Sequence, residues 1–223
     1  MHLAVAATQF EMNAFLDMGS ALPDGTVTLL VSGIGPVESG ISTTQFLAAH
    51  HSKIDCVVNF GIGGAYSAGA PEPAGLLDIC LADAEVLGDF GVCVGHEIKP
   101  FEGAGFTAPN RFEIDRLLLD TAQQALRDHH LDFRIGTFVT VNASSGSRAR
   151  GDFLCTTFKA LCENMEGAAI ARACAAYELA FLEVRAMSNV VEDRPGSPWK
   201  TVEAAEQAAG AAARIIGKLL DTP

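Results

Sequence analysis

The feature that most constrains the fold is a series of short apolar runs set between longer segments of helical character. Residues 2–7 (HLAVAA), 26–31 (TVTLLV), 54–60 (IDCVVNF), 133–141 (FRIGTFVTV) and 180–188 (AFLEVRAMS) are close to continuously hydrophobic. Strands of this kind are buried on both faces, as in a parallel sheet covered by helices. Further strands are expected at 76–82 and within 85–94. Helices are expected at about 37–50, 113–129, 164–177 and 198–220, with shorter ones after Phe10 and at 152–159. Ser197-Pro198 reads as a cap followed by Pro at the first position of the last helix. The alternation predicts an α/β fold with a mostly parallel sheet. With 223 residues, 49% of them hydrophobic, the chain has apolar material for one large core. It shows no repeat, low-complexity segment or linker, so one domain over 1–223 is expected.

Charge and composition exclude several classes of function. The formal net charge is −12 and nothing basic is clustered, which argues against nucleic acid and against an anionic membrane surface. No stretch approaches about 18 uncharged apolar residues, so no membrane span is expected. The start, MHLAVAATQFEMN, lacks a basic region and a long apolar run, so no signal peptide is expected. The six cysteines include no C-x-x-C pair and lie mostly in apolar runs. They read as reduced thiols of a cytoplasmic protein. His50-His51 and His129-His130 are sequence neighbours whose rings point apart, so neither a metal nor a cofactor is expected.

Two stretches carry chemistry. In Cys162–Asp193, Glu166 falls in the expected first turn of a helix, where backbone amides favour a carboxylate. Asn189 follows at the end of the next strand, where open α/β sheets bind ligands. Each also has a plain reading, as a dipole-complementing acid and as a turn former. Near the N-terminus, Glu11 lies beyond the first strand. Gly63 and Gly64 sit in GIGGAY, where Tyr66 spoils a dinucleotide fingerprint. Those glycines either form a tight turn or let a flat ligand approach the backbone. No G-x-S-x-G and no convincing Cys/His pair offers a nucleophile. What remains is a pair of carboxylates, which can make water displace a sugar substituent through an oxocarbenium-like transition state.

The set ATQFEMNAF, SGIGPVESG, NFGIGGA, ENMEGAAIARAC and VRAMSNVV resembles the nucleoside phosphorylase/nucleosidase superfamily. Within it the likeness is to the methylthioadenosine/S-adenosylhomocysteine nucleosidases and the futalosine hydrolases. The matches keep their order over nearly the whole chain. The resemblance implies a three-layer αβα sandwich with a mixed, mostly parallel central sheet. It implies Glu11 as the base that activates water, Met165 and Glu166 under the ribose, and Arg185 near the water network. Asn189 stands where the methylthioadenosine enzymes have an aspartic acid that protonates the purine at N7. Ile62 replaces a serine. Ser144 falls near a purine-stacking phenylalanine, which leaves backbone from Thr140, Val141 and Asn142 onward as the base shelf.

An amide cannot protonate an adenine leaving group, but it can steady a 6-oxopurine as charge spreads to its oxygen. Futalosine is a 6-oxopurine nucleoside, so Asn189 fits a futalosine-cleaving hydrolase acting in menaquinone biosynthesis. The loops after the first and third strands hold no arginine for phosphate, which favours water as nucleophile. The resemblance further implies a homodimer or larger assembly. Residues 95–112, with Phe101, Phe106 and Phe112, are the expected contact. An adenosine-type nucleosidase and a catalytically silent nucleoside binder remain as alternatives.

Overall fold

The computed structural model describes residues 1–18, 22–67, 73–95, 97–99, 101 and 108–221. Its strands are β1 (His2–Ala6), β2 (Val27–Val31), β3 (Cys56–Ala65), β4 (Ile79–Leu87), β5 (Val92–Val94), β6 (Glu97–Lys99), β7 (Arg111–Glu113), β8 (Phe133–Thr140), β9 (Ala160–Asn164) and β10 (Ala180–Val190). Its α-helices are α1 (Gln9–Met18), α2 (Gly35–His50), α3 (Arg116–Asp128), α4 (Arg148–Phe158), α5 (Gly167–Ala176) and α6 (Thr201–Leu220).

The main sheet is mixed, as expected. Pairs β1–β2, β1–β3, β3–β10, β4–β8 and β8–β9 are parallel, while β4–β10, β3–β9 and β4–β7 are antiparallel. Helices α1, α3 and α6 cover one face, and α5 with α2 covers the other. The sheet also curls. Strand β9 pairs with both β8 and β3, and β10 with both β3 and β4, so five strands close on themselves.

Period-2 alternation along β10 explains how one strand serves core and site together. Leu182, Val184 and Ala186 are fully buried apolar side chains, and Ala186 packs on Ala204 and Ala208 of α6. Glu183 and Arg185 point the other way, toward α5 and its N-terminus. Alanine along the buried face of α6 lets that helix lie close on the sheet.

Several expectations are corrected. GIGGA is not a turn: β3 runs on through Ala65, because β10 and β9 pair with its backbone on either side. The reason for glycine at 61 is close approach: a Cβ there would lie 2.5 Å from Glu11 Oε1 and 2.9 Å from Arg185 Nη1. Residues 160–164 form strand β9, so the helix begins after Glu166 rather than at Asn164. The strands expected at 76–82 and 85–94 are one strand, β4, followed by the short β5. Helix α6 begins at Thr201 with Lys200 at its cap, and Ser197-Pro198 lies before it. In the expected contact region, Phe101 is exposed and Phe112 packs against the core. Phe106 lies outside the described residues.

Candidate active site

Glu11 is fixed by a reciprocal cap at the start of α1. Its backbone N–H donates to Thr8 Oγ1 at 3.2 Å, and its Oε2 accepts from Thr8 N at 3.0 Å and Thr8 Oγ1 at 2.7 Å. This is a capping box, legible in the spacing Thr8-x-x-Glu11. The other oxygen, Oε1, accepts from Ile62 N at 3.1 Å. Glu11 is thus buried and held against β3, although it comes from the N-terminal helix.

Glu166 caps α5, but its side chain makes no cap hydrogen bond. Asn164 does that work instead: its Oδ1 accepts from Glu166 N at 2.9 Å and Gly167 N at 2.8 Å. The Glu166 carboxylate reaches across to α2, where Gly35 N donates to Oε1 at 3.0 Å. Its Oε2 accepts from Arg185 Nη2 at 3.3 Å. The expected helix-start environment is therefore real, but it belongs to a different helix.

Arg185 sits between these acids. It donates to Glu183 Oε1 at 2.8 Å, to Ile62 O at 3.1 Å and to Glu166. Burial works against its cation, yet the charges of Glu183, Glu166 and Glu11 outweigh burial and raise its pKa. Behind it lies a second acid, Glu85, fully buried beside Glu183. A Cβ at Gly167 would lie 2.2 Å from both Glu183 Oε2 and Glu85 Oε1, so only glycine lets α5 start over this pair. Burial, and next the Glu183 charge, push the Glu85 carboxyl well above the usual range. Glu183 Oε2 has no donor in its surroundings unless Glu85 carries a proton. One cation cannot balance four buried carboxylates, so a neutral Glu85 is the physically consistent state.

These groups surround a cavity of about 320 Å³. Of the residues singled out in the sequence, Glu11, Gly63, Gly64, Val141, Met165, Glu166, Arg185 and Asn189 line it, as do Ile62 and Ser144. Thr140 does not. It is fully buried behind the wall, where its hydroxyl lies 2.8 Å from Glu85 Oε2 and accepts from Ala168 N at 2.8 Å. Asn142 is exposed, and its N–H donates to Asp89. A bulge in β10 between Met187 and Asn189 lets Ser188 and Asn189 both reach the cavity. Phe10, Ile34 and Trp199 also line it, and all three are large, apolar and exposed. Sequence reasoning missed these three and Glu163. Trp199 lay in a segment read as helix, and Glu163 in the stretch whose strand went unseen.

A larger and shallower groove, about 900 Å³, runs between α2, α5 and the segment before β7. Among the described residues no acid lines it, so the chemistry belongs to the smaller cavity.

A family model described as the Phosphorylase superfamily matches residues 18–221. The chain belongs to the phosphorylase superfamily. The futalosine hydrolase of Streptomyces coelicolor is similar at 34% identity over 188 residues, 82% of this chain and 75% of that protein. The 5'-methylthioadenosine/S-adenosylhomocysteine nucleosidase of Staphylococcus saprophyticus is 29% identical over 203 residues, 90% of this chain and 84% of its own. Among solved structures, the Helicobacter pylori 5'-methylthioadenosine/S-adenosylhomocysteine nucleosidase aligns with TM-score 0.79 and 20% identity, over 99% of this chain and 97% of that one. That likeness bears out the expected phosphorylase-type fold. The sequence relatives are nucleosidases, and this member of the superfamily stands with its N-glycosyl hydrolases. No helix among the described residues is long and apolar enough to cross a membrane.

Proposed function

We propose that this protein hydrolyses the N-glycosidic bond of futalosine, releasing hypoxanthine in menaquinone biosynthesis. The observation that carries the reading is an amide, Asn189, in the wall of a cavity that also holds Glu11 and Glu166. The 34% identity with a futalosine hydrolase supports the same substrate.

In this reading the purine lies at the Asn189 end and the ribose over Met165. Glu11 takes a proton from water as the water oxygen bonds to C1′. The C1′–N9 bond breaks, its electron pair leaves with the base as a 6-oxopurine anion, and uptake of a proton from water gives hypoxanthine while Glu11 returns its own proton to water. Glu166 accepts hydrogen bonds from the ribose hydroxyls, which strengthen as the ring becomes cationic. Asn189 donates to the 6-oxygen as charge builds there. Arg185 holds Glu166 in place from behind.

The 29% identity with a methylthioadenosine/S-adenosylhomocysteine nucleosidase supports a second reading, cleavage of a 6-aminopurine nucleoside. Purine release from futalosine, aminofutalosine, methylthioadenosine and inosine, with and without phosphate, separates the two. Futalosine should be cleaved fastest and without phosphate. Fastest cleavage of methylthioadenosine would establish the second reading, and no release from any of them would establish a binder. The proposal includes a cytoplasmic setting and a homo-oligomer. Exposed Val37 and Ile41 on the rim of the larger groove support a second copy packing there.

A further inference from the structure

Two devices place Glu166: the Asn164 cap at the start of α5 and the Arg185 guanidinium behind it. One buried group touches both. Glu85, on β4, accepts from Asn164 Nδ2 at Oε1, and its Oε2 stands 2.8 Å from Thr140 Oγ1. The Thr140 oxygen receives Ala168 N, so its one hydrogen points onward. Asn164 Oδ1, 3.0 Å away, already receives two N–H groups, which leaves Glu85 Oε2 as the acceptor. On its other side Glu85 meets Glu183 of β10. Glu85 Oε1 and Glu183 Oε2 crowd the same point, where a Cβ on Gly167 would stand. Glu183 Oε1 is taken by Asn59 Nδ2 at 3.0 Å and Arg185 Nε at 2.8 Å. Glu183 Oε2 receives no hydrogen bond among the described residues. Both acids are 0% exposed, and a buried carboxylate oxygen without a donor costs free energy unless its neighbour supplies the hydrogen.

Few other charges face this pair. From β10 come Glu183 itself and Arg185. From β9 comes the Cys162 thiol, kept neutral by burial. Strand β8 brings the Thr140 hydroxyl, and α5 brings Gly167 and Ala168, while Arg172 of α5 faces the outer groove. On β7, Arg111 and Glu113 are exposed and pair with each other at 2.7 Å.

We propose that Glu85 is a positioning residue: its carboxylic acid donates from Oε1 to Glu183 Oε2, accepts from Asn164 Nδ2 at the same oxygen, and so ties the cap of α5 to the ion pair that holds Glu166. The inference rests on the reading that Glu166 steadies the sugar in this cavity. One atom must both give and receive, and a protonated carboxyl oxygen does both. An ionised Glu85 would receive from Asn164 but face Glu183 with like charge. Glutamine at 85 would serve one partner and fail the other, because its nitrogen cannot receive and its oxygen cannot give. Glutamine at 183 is different. Its nitrogen would donate to Glu85, and its oxygen would still accept from Asn59 and Arg185. Glu85 would then carry the negative charge and need no proton. The two substitutions are chemically the same, yet only the first breaks a hydrogen bond.

The test sets Glu85→Gln against Glu183→Gln. Infrared spectra of the folded proteins at neutral pH read the proton. Wild type should show a carboxylic acid C=O band that both variants lack. Retention of that band in Glu183→Gln, or its absence from the difference between wild type and Glu85→Gln, would overturn the shared proton. Kinetics read the positioning, on the best of the four nucleosides. In Glu85→Gln, kcat should fall roughly ten- to a hundred-fold with a smaller change in KM, because a displaced group costs most in the transition state. Glu183→Gln should keep roughly ten-fold more kcat than Glu85→Gln. Equal losses, or a Glu85→Gln protein that melts lower but turns over like wild type, would overturn the positioning role and leave the pair as part of the core. Failure of wild type to cleave any of the nucleosides would refute the functional reading, while the infrared comparison would still decide whether the two acids share a proton.

Discussion

Glu166 Oε1 accepts a hydrogen bond from Gly35 N at 3.0 Å, across 131 residues of sequence. Gly35 opens α2, so the positive end of that helix faces the carboxylate. The N-terminus of α5 is meanwhile satisfied by Asn164. Two helix starts therefore converge on one point, and the acid at that point has an oxygen tied to each of two partners, Gly35 and Arg185.

This placement predicts the kinetics of Glu166→Gln. The amide keeps an acceptor for Gly35 N but loses the negative charge that faces a cationic sugar. Hydrogen bonds to charged groups are worth about 1.5–3 kcal/mol, so kcat should fall by roughly ten- to a hundred-fold with a smaller change in KM. Steady-state rates on the best substrate decide it. A rise in KM alone would make Glu166 a binding residue with no part in the transition state.

Glu11→Gln should fold normally, because glutamine also completes a capping box with Thr8. It should lose about 10²–10⁴-fold in turnover, the usual contribution of a general base. Substrate affinity, measured by titration calorimetry, should change little. Near-normal turnover would remove Glu11 from the mechanism.

The fold class was legible because strands buried on both faces have a composition that few other elements share. Glu11, Met165, Glu166, Arg185 and Asn189 were legible as a set, and the structure brings all five to one cavity. Element boundaries near glycine were not. Gly61–Gly64 looked like a turn because glycine usually marks one, while here it admits Glu11 and Arg185 to the strand surface. Strand β9 was hidden because its five residues include Glu163 and Asn164, polar groups whose burial depends on distant partners such as Ser145 and Glu85. Glu85 and Glu183 could not be paired from sequence, since nothing local places them under the same glycine. The Thr8-x-x-Glu11 signal was present and would have put Glu11 inside a helix.

The Glu85–Glu183 pair predicts how stability depends on pH. The native pKa of Glu85 is raised, while in the unfolded chain it titrates near 4.3. A raised native pKa contributes stability that is fully present below the unfolded value and is lost as pH rises through the native one. Melting temperature should therefore fall with rising pH more steeply in wild type than in Glu85→Gln, which has no proton to lose. Parallel profiles for the two proteins would mean that Glu85 is ionised in the native state.

The apolar groove beside α2 predicts association. Val37→Glu together with Ile41→Glu should turn an oligomer into a monomer, as read by light scattering at micromolar concentration. Both side chains are exposed in the single chain, so the fold itself should survive. Wild type that is already monomeric and fully active at that concentration would refute the assembly.

Asn189→Asp tests what selects the base. In wild type the amide can donate to a 6-oxygen but cannot give N7 a proton. An aspartic acid kept neutral in a dry pocket could supply that proton and so help an adenine leave. An ionised aspartate would instead oppose the 6-oxygen with like charge and no hydrogen. Both states move selectivity in the same direction, toward 6-aminopurine substrates. The expected size is roughly ten- to a hundred-fold in the ratio of kcat/KM for futalosine to that for aminofutalosine. Asn189 also lies 3.0 Å from Ser188 Oγ, so a structural cost of the mutation would appear as a lower melting temperature. That cost would lower both activities together and leave the ratio in place. A wild-type ratio near one, or a ratio the mutation does not move, would assign Asn189 to the strand end rather than to the base.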